Sequence, residues 1–227
     1  MRMIWLVVLL ALAAFQYRHE LTGHVQRYLH PDAATVNSIE VFTFAGCGAP
    51  CATLLQDLRQ RQLPVTETML TGPGTPDFDR YRDHGGSNTF PSILVNNTEL
   101  LPNMSNAATV SHLASIMGEG VLTEGERYFI RRHFHDATPQ GANQHGATRP
   151  RVVLYGTDWC GVCTQTRAWL NANGIAFSDI DVEKDPEGPR MIRELAIGGY
   201  PTLYVGYQRG EGFNPQWLEK TIKQAGL

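Results

Sequence analysis

One succession of elements occurs twice in this 227-residue chain, and it restricts the fold more than any other feature. In the first block, residues 39–44 are apolar and β-rich and read as a strand. Leu54, Leu55 and Leu58 set a helical period over 52–62, which Pro64 ends. A strand at 65–70, a Gly- and Pro-rich loop at 72–76 and a short helix at 77–84 follow. Phe90-Pro91 then precedes strands at 92–95 and 99–101 and a helix at 105–117. The second block keeps this order: strand 152–155, helix 164–172, strand 175–182, helix 186–196, then Tyr200-Pro201. Strand 202–205, a Gly-rich hairpin at 206–212 and a helix at 214–225 complete it. Strands alternating with helices over roughly 80 residues predict a mixed sheet covered by helices, built twice.

Between the blocks, Thr123-Glu-Gly-Glu126 has the capping-box pattern and opens an amphipathic helix to about residue 134. Residues 137–150, rich in Gly, Gln, Asn and Pro, read as a flexible linker. Each block holds its own strands and helices, so the two are expected to be structurally independent. Trp169, Trp217, Phe177 and Phe213 are expected in or near the core. His133, His135 and His145 lack acidic or Cys partners at ligand spacing and read as solvent-facing.

A formal net charge of −3 with interspersed signs gives no basic field, so nucleic acid is excluded as a partner. Residues 3–15 contain no polar side chain. That run is short of the about 20 residues a spanning helix needs, and Ala11-Leu12-Ala13 offers a small-residue cleavage site. Residues 1–17 are therefore read as a signal peptide or a membrane anchor, and 18–37 as a stalk. Either reading sends the chain to the cell envelope, exported or held at a membrane.

All four cysteines stand at two equivalent positions, each pair following the first strand of its block and preceding the first helix. In Thr157-Asp-Trp-Cys-Gly-Val-Cys163, a thiolate at a helix N-terminus is stabilised by unpaired N–H groups and the helix dipole. The two-residue spacer lets the second sulfur resolve a mixed disulfide. Cys160 is thus the expected nucleophile, in an exposed capping position, and Cys163 the more buried resolving thiol. Asp158 is expected to oppose thiolate formation. In Gly46-Cys-Gly-Ala-Pro-Cys51 three residues intervene, and positions i and i+4 of a helix still share a face. For Cys47 and Cys51 a redox-active pair, a static disulfide and a metal site all stay open.

Trp159-Cys-Gly-Val-Cys163, with Tyr200-Pro201 following 38 residues after Cys163, resembles the thioredoxin/glutaredoxin superfamily. The block is similar to glutaredoxins in length, and to thioredoxins in its Trp. The resemblance is specific over 151–227 and looser over 39–118, where Phe90-Pro91 stands 40 residues after Cys51. It implies that Pro201 is a cis-proline facing the dithiol and that the Tyr200 backbone pairs with a bound peptide or glutathione. Trp159, Tyr200, Pro201, Phe90 and Pro91 are accordingly the expected substrate-binding residues. Gly210-Glu-Gly212 and Asn214 match the glutathione-holding turn of glutaredoxins imperfectly, and Thr157-Asp158 stands where those proteins carry a basic residue.

The expected architecture is α/β: two tandem thioredoxin-fold domains, each a mixed central sheet flanked by helices, after an N-terminal hydrophobic segment. Residues 38–118 form the first domain, 119–150 a helix and linker, and 151–227 the second. The expected function is thiol-disulfide exchange on protein thiols and disulfides, with no cofactor and no metal at the catalytic pair. Glutathione is carried as a weaker partner. The alternative is a copper-binding metallochaperone using Cys47 and Cys51, with His84 or His112 as a further ligand, since soft thiolates suit Cu(I).

Overall fold

The computed structural model describes residues 38–101, 103–135 and 152–227. The expectations for 1–37 and the linker 137–150, His145 included, and for the side chains of His133 and His135 lie outside the described residues. The first sheet runs β2-β1-β3-β4, built from β1 (Ile39–Phe44), β2 (Val65–Leu70), β3 (Ser92–Val95) and β4 (Glu99–Leu101). β1 pairs parallel with β2 and antiparallel with β3, and β3 antiparallel with β4. Helices α1 (Gly48–Gln60), α2 (Pro76–Asp83) and α3 (Asn106–Met117) complete the block. The period of two in β1 divides its side chains between two faces. Ile39 and Val41 join Leu54, Leu55 and Leu58 of α1 and Leu113 of α3, whereas Phe42 meets Tyr81 of α2 on the other face.

The second sheet has the same plan, in the order β6-β5-β7-β8. Its strands are β5 (Val152–Gly156), β6 (Phe177–Asp181), β7 (Thr202–Val205) and β8 (Gln208–Glu211). Again the central strand is parallel to one neighbour and antiparallel to the other. The helices α5 (Gly161–Ala172), α6 (Gly188–Glu194) and α7 (Pro215–Gln224) follow the numbering of α4 (Glu124–His135), which stands between the blocks. Two mixed sheets flanked by helices are thus the expected tandem thioredoxin-like arrangement. The capping box forms: Thr123 Oγ1 accepts the Glu126 N–H at 3.2 Å, and Glu126 Oε2 accepts the Thr123 N–H at 2.6 Å.

The two blocks are not independent, contrary to the expectation from sequence. One buried cluster runs from Ile39, Leu58 and Leu113 through Phe129 and Ile130 of α4 to Val153, Tyr155, Met191 and Tyr204 of the second sheet. Polar contacts reinforce it. Arg61 grips the Glu126 carboxylate through both terminal nitrogens, at 2.7 and 2.9 Å. From α3, Ser111 donates to the Tyr207 carbonyl, and Ser115 Oγ accepts from Gln208 at 2.9 Å. Ser105 donates to Glu211 at 2.8 Å. The physical reason is that the second sheet has two apolar faces. One packs on α5 and α7 through Leu170, Leu218 and Ile222, and the other needs more cover than α6 supplies.

Candidate active site

The second cysteine pair sits where β5, buried along its whole length, leaves the middle of the sheet. Cys160 is the N-cap of α5 with extended backbone, and its sulfur accepts the Cys163 N–H at 3.0 Å. The Cys160 N–H in turn reaches the Thr157 carbonyl at 3.4 Å. The two cysteines are joined in a disulfide with Cα atoms 5.2 Å apart. A sulfur held by a backbone N–H at a helix N-terminus is stabilised as a thiolate once the bond opens. Cys163 is fully buried and Cys160 is 6% exposed. The ranking agrees with the roles expected of them, but Cys160 is far less open than anticipated. The reason is the collar around it: Trp159, 68% exposed, stands immediately before it, and the Tyr200 ring meets the indole edge-to-face at 6.0 Å.

The Tyr200-Pro201 bond is cis, as the family resemblance implies. The loop that carries it is tied down on both sides. Thr202 Oγ1 donates to the Gly199 carbonyl at 3.0 Å, and the Pro201 carbonyl accepts from the Gly212 N–H at 2.8 Å. Buried Arg209 donates from β8 to the Leu195 carbonyl and, at 3.0 Å, to that of Ala196.

Charge around this pair differs from the sequence expectation. Asp158 does not face Cys160 as a lone carboxylate, because the Lys184 ammonium pairs with it and lies 3.5 Å from Asp181. Hydrogen bonding to Asp158, ahead of its Coulombic pull, holds the Lys184 pKa above the ordinary value. Glu183 Oε2 accepts the Trp159 indole N–H at 2.9 Å. Neither Lys184 nor Glu183 was singled out from sequence. Their only signal is their place just after β6, the strand parallel to β5 and ending beside it. The Asn214 side chain accepts the Trp217 N–H at 3.0 Å, capping α7, and the Glu211 carboxylate accepts from Ser105 and Arg209.

The first pair occupies the equivalent place, and Phe90-Pro91 is also cis. Cys47 and Cys51 form a disulfide with Cα atoms 5.7 Å apart. Cys47 has helical backbone angles and its side chain caps nothing, so its sulfur lacks the N–H that Cys160 receives. Cys51 is buried and Cys47 half-buried. Both line an open groove of about 670 Å³ with Phe44, Leu55 and Met69. The Phe90 ring stacks on Tyr81 at 5.3 Å and lies against Phe44 at 5.0 Å.

Neither candidate copper-binding histidine joins these cysteines. The His84 ring nitrogens lie 2.9 and 3.1 Å from the Arg80 and Asn97 carbonyls. His112 faces Gln208 at 3.2 Å and Glu99 at 3.3 Å. Among the described residues, no group of three or more His, Cys, Asp or Glu is placed to hold a metal ion.

Residues 152–209 match the family model described as Glutaredoxin. The glutaredoxin-like protein NrdH of Lactococcus lactis subsp. cremoris is 28% identical over 69 residues, covering 30% of this chain and 96% of that protein. An uncharacterised glutaredoxin-like 8.6 kDa protein of Clostridium pasteurianum is 27% identical over 74 residues, covering 32% of this chain and 99% of its own. Among solved structures, a glutaredoxin of Archaeoglobus fulgidus is 23% identical with a TM-score of 0.30, over 37% of this chain and 98% of that one. The NTD_N/C domain of an alkylhydroperoxide reductase, AhpF of Enterococcus faecalis, covers 92% of this chain and 97% of its own. Its identity is 13% and its TM-score 0.31. The second block carries a match to the glutaredoxin family model over 152–209, and its sheet order and Cys-x-x-Cys pair fit the thioredoxin/glutaredoxin superfamily.

Proposed function

We propose that the protein is a thiol-disulfide oxidoreductase acting on protein disulfides, with Cys160 as nucleophile and Cys163 as resolving thiol. The observation that carries the assignment is the Cys163 N–H held 3.0 Å from the Cys160 sulfur at the head of α5. In the reduced protein the Cys160 thiolate attacks one sulfur of a substrate disulfide. That bond breaks, the departing sulfur takes a proton, and a mixed disulfide forms. Cys163 then loses its proton and attacks the Cys160 sulfur. The mixed disulfide breaks, the second substrate thiol leaves protonated, and Cys160–Cys163 is oxidised. Two electrons and two protons pass to the substrate.

Trp159, Tyr200 and Pro201 form the substrate wall of this reading, and Phe90 and Pro91 stand in the corresponding place of the first block. Protein disulfides are favoured over glutathione. Asn214 and Glu211, the residues nearest the glutathione-holding turn in sequence, are engaged within the protein, and Glu211 is an anion like the carboxylates it would meet. The apolar run at 3–15 supports action in the cell envelope.

The test is insulin reduction with dithiothreitol as the electron source. Cys160→Ser should abolish it, and Cys163→Ser should accumulate a mixed disulfide with substrate. Faster alkylation of Cys163 than of Cys160 near neutral pH would reverse the roles, and efficient turnover with glutathione as sole reductant would remove the substrate preference.

A further inference from the structure

The rim of the second dithiol is acidic. Asp158, Asp181 and Glu183 set three carboxylates against one ammonium, Lys184, and both contacts of that ammonium go to Asp158 and Asp181. Arg167 grips Asp179 at 2.7 and 3.1 Å, and its charge also reaches Asp158 and Asp181 but not Glu183 among its resolved partners. Among the described residues no cation pairs with Glu183, whose carboxylate is exposed and oriented by the Trp159 indole N–H at 2.9 Å. The indole that Glu183 holds also meets the Tyr200 ring of the cis-proline loop at 6.0 Å, and burial first, then the charges of Glu183 and Asp181, push the Tyr200 phenol above its ordinary pKa. Beside Cys160 stands an exposed tryptophan, 68% open, that carries an uncompensated carboxylate on its indole N–H. A ring face and an anion together attract one chemical group, a cation.

Resting on the oxidoreductase reading, we infer that Glu183 and Trp159 form a cation-receiving subsite selecting protein substrates with Lys or Arg beside the reacting cysteine. The substrate cation lies over the indole and against the Glu183 carboxylate while its disulfide meets Cys160. A substrate with an acidic residue there meets repulsion from Glu183. The same field disfavours small anionic disulfides.

The test uses the full-length reduced protein and two synthetic disulfide peptides that differ only in Lys or Glu beside the cysteine, compared by kcat/KM. The Lys peptide should be preferred by about five- to ten-fold at low salt, from one exposed charge contact and one cation–π contact. The preference should shrink at high ionic strength. Glu183→Gln keeps an oxygen for the indole N–H and removes only the charge, so it should cut the Lys-to-Glu ratio at least three-fold. Glu219→Gln, an exposed acid on α7, should leave the ratio unchanged. The ratio, not the absolute rate, is the readout. Equal turnover of the two peptides by wild type, or an unchanged ratio in Glu183→Gln, overturns the subsite while leaving the oxidoreductase reading intact. Failure of wild type to reduce either peptide overturns both.

Discussion

Gly156, the last residue of β5, lies directly against the sulfur of Cys163: a Cβ placed on it would stand 2.9 Å from Sγ and 3.0 Å from Leu154 Cδ2. The glycine therefore provides the space into which the resolving cysteine is buried. Gly156→Ala should displace that sulfur or the strand, costing about 1–3 kcal/mol as an overpacked core does. Thermal unfolding should show the loss. Insulin reduction should fall by more than the folded fraction explains. An alanine variant as stable and as active as wild type would show that the sulfur has room to move.

The two cysteine pairs differ in one respect that sets an order of reduction. The Cys160 sulfur accepts an N–H and the Cys47 sulfur caps nothing. A hydrogen bond to the thiolate stabilises the dithiol form and makes its disulfide the stronger oxidant. Given one reducing equivalent, Cys160–Cys163 should open before Cys47–Cys51, by about ten-fold, the equivalent of about 30 mV for a two-electron couple. Alkylation of the equilibrated protein followed by peptide mass spectrometry reads the distribution. Preferential opening of Cys47–Cys51 would show that the three-residue spacer outweighs the hydrogen bond.

Acid should loosen the first block through Glu40. The Arg80 guanidinium hydrogen-bonds its carboxylate and holds the pKa below the ordinary 4.5, against the opposing effect of burial. A depressed folded-state pKa stabilises above the unfolded value, and this contribution fades as pH falls from about 4.5 through the folded value. Glu40→Gln should cost about 1–2 kcal/mol at pH 7, discounted for the partly exposed Arg80, and should flatten stability against pH below 5. Urea midpoints at pH 7, 5 and 3.5 check both statements. A constant difference between wild type and variant across that range contradicts the assignment.

Much of the scaffold is legible in the chain because its signals are local. β1, β2 and β3 occupy the residues expected of them, since an apolar or alternating run of β-forming residues needs no distant information. α1 begins at Gly48, not at 52, because the helix takes in the Gly-Ala-Pro spacer between the cysteines, which carries no apolar period. The pairing of Lys184 with Asp158 spans 26 residues and depends on β5 and β6 running parallel, so composition near the cysteines gives the wrong local charge. The collar over Cys160 is hidden for the same reason, Tyr200 reaching Trp159 from a loop 41 positions on. The shared core is the largest departure. Phe129 and Ile130 look like one face of an ordinary amphipathic helix, and nothing local says which block they cover.

That shared core makes unfolding a property of both blocks at once. Leu58, fully buried in α1, belongs to the same cluster as Phe129, Tyr155 and Met191, so a defect at Leu58 should be felt by the second sheet. Trp159, Trp169 and Trp217 all lie in the second block, and with Trp5→Phe they become the chain's only tryptophans, excited selectively over tyrosine at the red edge of absorption. Leu58→Ala should cost about 2–5 kcal/mol from lost burial and the cavity left behind. At about 2–4 °C per kcal/mol for a chain of this size, the midpoint should drop by roughly 4–20 °C. The expected result is the same drop by tryptophan fluorescence and by far-ultraviolet circular dichroism, because coincident transitions mark one cooperative unit. Independent blocks would behave otherwise: the fluorescence midpoint would stay in place while the dichroism split into two steps. That outcome would mean that the contacts of α4 and Arg61 with their neighbours contribute little, and that each sheet is stable on its own.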